Sequence, residues 1–211
     1  MEIIDLFVFF LTSFVSLFVI VNPFSATSVF LAISQGDSKA KKKRMVKRAA
    51  VFSFIILVVF VLFGSYILNF FSITVDAFRI AGGIIISGIG WKMIKAEREY
   101  LPTKEEKQDA TDKEDVSIVP LAVPMLSGPG SITTSIVLAS KAASLMELSV
   151  LIVAILVICI ISYLILVKSD MISEYFGEVG MRVADRLMGL IVLVVGVQFI
   201  INGLAGVVGS W

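Results

Sequence analysis

Apolar stretches of about 20 residues recur along this chain between clusters of Lys, Arg, Asp and Glu, and that alternation constrains the fold more than any other feature. A helix of about 20 apolar residues crosses the roughly 30 Å hydrocarbon core of a bilayer. Six such spans can be read, at roughly 3–34, 46–70, 78–96, 118–140, 146–168 and 184–208. The apolar runs are continuous rather than alternating, which favours helices over a membrane barrel. With 58% of 211 residues apolar and a mean hydropathy of +0.99, a water-soluble globule is excluded. The expected fold class is an all-α membrane protein with six transmembrane helices.

Charge sets the orientation. Sixteen of the 18 Lys and Arg residues follow spans 1, 3 and 5, and only Arg79 and Lys141 fall on the other side. Basic residues are retained in the cytoplasm, so both termini are expected outside the cell membrane and the polar stretch 97–117 inside. The N-terminal Met1-Glu2-Ile3-Ile4-Asp5 has no positive region, so the first span is expected to stay rather than be cleaved as a signal. The basic cluster 39–48 reads as a topology signal, and a net charge of +1 gives no reason to expect a nucleic-acid partner. There is no His, and the lone Cys159 lies in an apolar run, so neither a disulfide framework nor a metal or cofactor is expected. Residues 97–117, rich in Lys, Glu, Asp and Thr, read as a linker between a first three-helix unit, 1–96, and a second, 118–211.

The two units share a pattern. Asn22-Pro23-Phe24-Ser25-Ala26-Thr27-Ser28 aligns with Gly128-Pro129-Gly130-Ser131-Ile132-Thr133-Thr134, and Arg79-Ile80-Ala81-Gly82 with Arg186-Leu187-Met188-Gly189. Each unit holds an odd number of spans, so the second must enter the membrane from the opposite side. Two inverted three-helix repeats are therefore expected, the first helix of each broken near the midplane.

The breaks carry the candidate site. Pro23 and Pro129 have no N–H for the carbonyls of Val19 and Met125, and Gly128 and Gly130 loosen the second backbone further. Unpaired backbone at membrane depth must face protein or a water-filled cavity, so the breaks should face each other. Each new half-helix offers free N–H groups and a positive dipole end to an anion. Hydroxyls gather there: Ser25, Thr27 and Ser28 in one half, Ser131, Thr133 and Thr134 in the other. Carbonyls near Val19, Asn22, Met125 and Gly128 form the opposite pole. A small zwitterionic substrate matches such a site without any charged side chain. None is expected in it, because Asp5, Asp76, Glu147, Asp170 and Asp185 all read as lying near span ends.

The competing structural reading is that each Pro only kinks its helix while Ser and Thr patch their own helix's freed carbonyls. Recurrence of the motif favours a site. Pro120 and Pro124 read as first-turn and kink residues. The glycines of spans 3 and 6 read as packing faces, which permit a homo-oligomer without demanding one, and Gln198 with Asn202 as an interhelical hydrogen-bonding pair.

Asn22-Pro23-Phe24-Ser25, the segment PLAVPMLSGPGSITT from Pro120 to Thr134, and the paired Arg-x-x-Gly starts of spans 3 and 6 together resemble the MarC family of six-span prokaryotic membrane proteins. The resemblance implies transport of small neutral amino acids such as glycine and alanine, with both proline regions as the site and H⁺ as coupling ion. Na⁺ held by carbonyls and hydroxyls is physically as reasonable. The expectation is a secondary transporter working by alternating access, with a passive channel or a non-transporting membrane scaffold as the alternative. An enzyme is not expected, since no nucleophile has an evident base and no carboxylate pair lies in the membrane.

Overall fold

The computed structural model describes residues 3–95 and 126–209. The described residues are helical almost throughout: α1 (Ile3–Val21), α2 (Pro23–Ile33), α3 (Lys39–Phe70), α4 (Val75–Ile94), α5 (Pro129–Lys141), α6 (Leu145–Val167) and α7 (Ser169–Gly209). Local chemistry sets their ends. Ser38, Thr74 and Ser144 each cap a helix by accepting from the N–H three residues on, at Lys41, Ala77 and Glu147. Glu147 reaches back to accept from the Ala143 N–H, holding the entry to α6 from both sides. Within α7, Gly177 (φ 62°, ψ 175°) interrupts the helical backbone, a conformation open to residues without a Cβ.

Five stretches among the described residues are long and apolar enough to cross a membrane: Ile3–Ile33, Lys39–Phe70, Val75–Ile94, Leu145–Val167 and Val179–Gly209. The expected linker 97–117 and the first part of the expected fourth span, with Pro120, Pro124 and Met125, lie outside the described residues. α5 is that span's second half. Two boundaries differ from expectation. α3 begins at Lys39, well before 46, because lysines and arginines are good helix formers and Ser38 caps them. The last span begins at Val179 rather than 184, which brings Arg182 into it.

The extensive helix contacts join elements before residue 96 to elements after 125. α4 lies along α7, α3 against α5 and α6, α1 against α5 and α6, α2 against α6 and α7, and α5 against α4. The buried core reflects this, with Leu17, Val21, Phe30, Val46 and Leu57 meeting Leu151, Ile155 and Ile158. Large apolar side chains such as Phe7, Ile55, Phe63, Ile84, Leu187 and Val194 remain exposed, as a lipid-facing surface requires.

The α4–α7 pair is held at backbone distance. A Cβ at Gly83 would lie 2.7 Å from the Gly196 carbonyl oxygen, and one at Gly90 would lie 2.7 Å from that of Gly189. One at Gly203 would lie 2.9 Å from the Asp76 carbonyl oxygen. Partner numbers rise as α4 numbers fall, so the helices run antiparallel, with glycines at seven-residue spacing along the seam. Small residues permit this approach where no hydrophobic force drives helices together. Gly88 and Gly209 stand clear of the seam, with nothing within 4 Å of an added Cβ.

Candidate functional site

The first break is at Asn22. Its backbone is left-handed (φ 43°, ψ 68°), a conformation that asparagine tolerates better than most residues. Its N–H still donates to the Phe18 carbonyl at 3.0 Å and its carbonyl accepts from Ala26 N at 3.2 Å. The chain therefore turns at Asn22 with one helix ending and another beginning on the same residue. Pro23 follows at the first helical position, where its missing N–H costs least, and leaves the Val19 carbonyl without its usual donor.

Asn22 is buried, and its side chain organises the new helix start. Its Oδ1 accepts from Ser25 N at 3.3 Å, while its Nδ2 donates to Ser25 Oγ at 2.9 Å and approaches the Met93 sulfur at 3.9 Å. Ser25 Oγ then donates to Asp185 Oδ1 at 2.7 Å. Asp185 is half-buried and lies six residues, about 9 Å of helix, inside the span that begins at Val179. A carboxylate of α7 thus closes on the first turn of α2, where the helix dipole and the serine hydroxyl both favour negative charge.

The second break is at Gly128, extended (φ −69°, ψ 176°), with Pro129 again at the first helical position. No side chain caps this helix start; the Gly128 carbonyl accepts from Ile132 N at 3.0 Å. The two breaks adjoin. A Cβ at Gly130 would lie 3.0 Å from Ile20 Cγ2 and 3.1 Å from Ile86 Cγ1, so the end of α1, the start of α5 and the middle of α4 converge at this glycine.

The expected site residues divide by environment. Val19 is half-buried in the last turn of α1, Asn22 and Pro23 are buried, and Ser25 and Ser28 are half-buried on α2. Gly128, Gly130, Ser131 and Thr133 are buried, with Thr133 packed over Gly82, while Pro129 is exposed. Thr27 Oγ1 donates to the Pro23 carbonyl at 3.0 Å, and Thr134 Oγ1 to the Gly130 carbonyl at 2.9 Å, so both hydroxyls turn back on their own helices. Met125 lies outside the described residues. Gln198 donates to Asn202 at 2.9 Å within α7, not across helices as expected.

Asp185 is the residue that sequence reasoning missed. One residue before Arg186, it read as lying near the end of the last span and so outside the site. Its partner Ser25 is 160 positions away. The available signal was its place one residue before the matched Arg-x-x-Gly motif. At the corresponding position of the first half stands Phe78, so the acid is a feature of one half alone.

The model described as MarC family integral membrane protein matches residues 7–208. A UPF0056 membrane protein of Methanocaldococcus jannaschii is 36% identical over 198 residues, covering 94% of this chain and 97% of the relative. The UPF0056 membrane protein YvbG of Bacillus subtilis is 34% identical, covering 95% and 96%, and YhcE of Escherichia coli is 31% identical, covering 92% and 91%. No solved structure matches the chain. The matched range takes in both proline breaks and the α4–α7 seam, and the chain belongs to the MarC family of integral membrane proteins.

Proposed function

We propose that this protein is a secondary transporter of small neutral amino acids, of the glycine and alanine class, working by alternating access between two inverted three-helix repeats. The observation that carries the reading is the meeting of two helix breaks, Ile20 beside Asn22 against Gly130, with Ser25 and Asp185 at the same break. Broken helices at membrane depth, helix starts facing protein and a polar group beside them are the parts from which transporter sites are built. The antiparallel α4–α7 pair and the packing of elements before residue 96 against those after 125 support the inverted arrangement. Both termini outside and the linker inside complete the reading, with H⁺ or Na⁺ as the coupling ion.

A second reading has its own observation. Thr27 and Thr134 turn their hydroxyls back on the Pro23 and Gly130 carbonyls of their own helices, away from any ligand, which suits a scaffold or a passive channel. Counterflow of labelled glycine or alanine in proteoliposomes separates the two. The transporter reading expects saturable exchange that Ser131→Val or Gly130→Leu abolishes in protein that still runs as a single species. Flux that never saturates supports a channel, and absence of flux for every small solute supports a scaffold.

A further inference from the structure

We propose that Asp185 is the counter-ion for the substrate's amino group, and that an α-amino acid inserts between Ser25 and Asp185 with its carboxylate toward α2 and its ammonium toward α7. This rests on the transport reading above and gives it a recognition rule. Ser25 Oγ donates to Asp185 Oδ1 at 2.7 Å, a donor on α2 facing an acceptor on α7. A zwitterionic amino acid presents the complementary pair, an acceptor and a donor joined through one carbon. Insertion replaces one charge-assisted hydrogen bond by two.

The surroundings make the rule selective. The α2 N-terminus carries partial positive charge and Asp185 negative charge, side by side in a partly desolvated place. A ligand with a carboxylate alone is repelled by Asp185, and one with an ammonium alone meets the positive end of α2. A ligand holding both on one carbon satisfies both. The Asn22 amide fixes Ser25 through two contacts, 2.9 Å to Oγ and 3.3 Å from N, so the donor is set in place before the ligand arrives. Met93 at 3.9 Å from Asn22, and Phe18 edge-on to Phe24 at 6.4 Å, place apolar bulk around the break, which favours a small side chain on the substrate.

Binding of labelled alanine to the purified full-length protein in detergent, with unlabelled competitors, tests this. Wild type is expected to be competed by glycine and alanine, weakly by β-alanine, and not by lactate or ethylamine. Asp185→Asn keeps the shape of the side chain and is expected to lose roughly ten- to hundredfold in alanine affinity, the size of one lost charge-assisted hydrogen bond, while lactate gains relative to alanine. Ser25→Ala is expected to weaken alanine binding and leave rejection of lactate intact. Alanine affinity unchanged in a monodisperse Asp185→Asn protein overturns the assignment and leaves transport standing. Lactate or ethylamine competing with wild type as well as alanine overturns it without any variant. Wild type that neither binds nor exchanges any small amino acid overturns the transport reading and this inference with it.

Discussion

Asn22 does three things at once: it supplies the left-handed turn, caps Ser25 N and steadies the Ser25 hydroxyl. Alanine there loses the cap, worth about 1 kcal/mol, and pays for the left-handed backbone, a further 1 kcal/mol or so. Asn22→Ala should therefore lower stability by about 2 kcal/mol, and Asn22→Gly by clearly less, because glycine keeps the backbone freedom; thermal unfolding in detergent followed by tryptophan fluorescence ranks the two. The threonines answer differently. Thr27 and Thr134 spend their hydroxyls on their own helices, so Thr27→Val and Thr134→Val should cost no more than about 1 kcal/mol and keep most of the counterflow that Ser131→Val removes. Equal loss of counterflow in all three would place the threonine hydroxyls in the substrate path. The sequence alone showed the prolines, the carbonyls they release and the hydroxyl cluster, because each is a local rule about a missing N–H or an orphan donor; that Asn22 caps the new helix came from the structure. The sequence did not show which hydroxyls turn inward on their own helix, since that depends on rotamers that packing selects. Nor did it show Asp185 at the break, which depends on how two elements 160 residues apart are juxtaposed.

At the scale of elements, the α4–α7 seam is the most extensive helix contact among the described residues. With glycines set against the partner's backbone at Gly83–Gly196 and Gly90–Gly189, a side chain has nowhere to go without pushing the helices apart. Sliding one helix along the other would carry side chains into the places where Gly83 and Gly90 now face the Gly196 and Gly189 carbonyls. Any movement of the breaks is accordingly movement against this pair, not within it. Gly83→Leu and Gly196→Leu should each lose the folded monodisperse species in size-exclusion chromatography, since overpacking costs at least 1–3 kcal/mol. Gly88→Ala meets nothing within 4 Å and should be neutral or raise the unfolding temperature, alanine being the better helix former by about 0.5–1 kcal/mol. A seam that tolerated leucine as readily as Gly88 tolerates alanine would have to be far looser than these distances. The small-residue faces were legible from composition along spans 3 and 6; their seven-residue register and the pairing of those two spans with each other were not, because spacing within a helix says nothing about its neighbour. The early start of the last span was not legible either. The expected start at 184 leaves out Arg182, whereas the apolar helical stretch runs back past it to Val179.

For the molecule as a whole, the basic residues and the packing make one joint statement. Sixteen Lys and Arg follow spans 1, 3 and 5, and two lie on the other face. Lys42 pairs with Asp170 at 2.9 Å, tying the start of α3 to the start of α7, so two of those basic segments lie together at one end of the bundle. The α3–α4 connection, with exposed Ser72, belongs to the opposite end, because α3 separates it from Lys39 by 32 residues of helix, about 48 Å. By the positive-inside rule the Lys43 end is expected in the cytoplasm and the Ser72 end outside. Cys159 is buried in α6, so the native thiol should be silent toward a membrane-impermeant maleimide and the natural chain needs only one added cysteine to report sidedness. In intact cells Ser72→Cys should label and Lys43→Cys should not, and lysis should expose Lys43→Cys. The same two variants serve the alternating-access reading. The ends they mark are fixed by helix length and charge, so glycine or alanine should leave their labelling unchanged while altering that of a cysteine placed at half-buried Ser28 on α2, beyond the break. Reversed labelling of Ser72→Cys and Lys43→Cys would invert the whole assignment of faces. A Ser28→Cys protein that binds alanine yet labels at one rate with and without it would mean that α2 does not move, and would leave the breaks as fixed elements of the bundle.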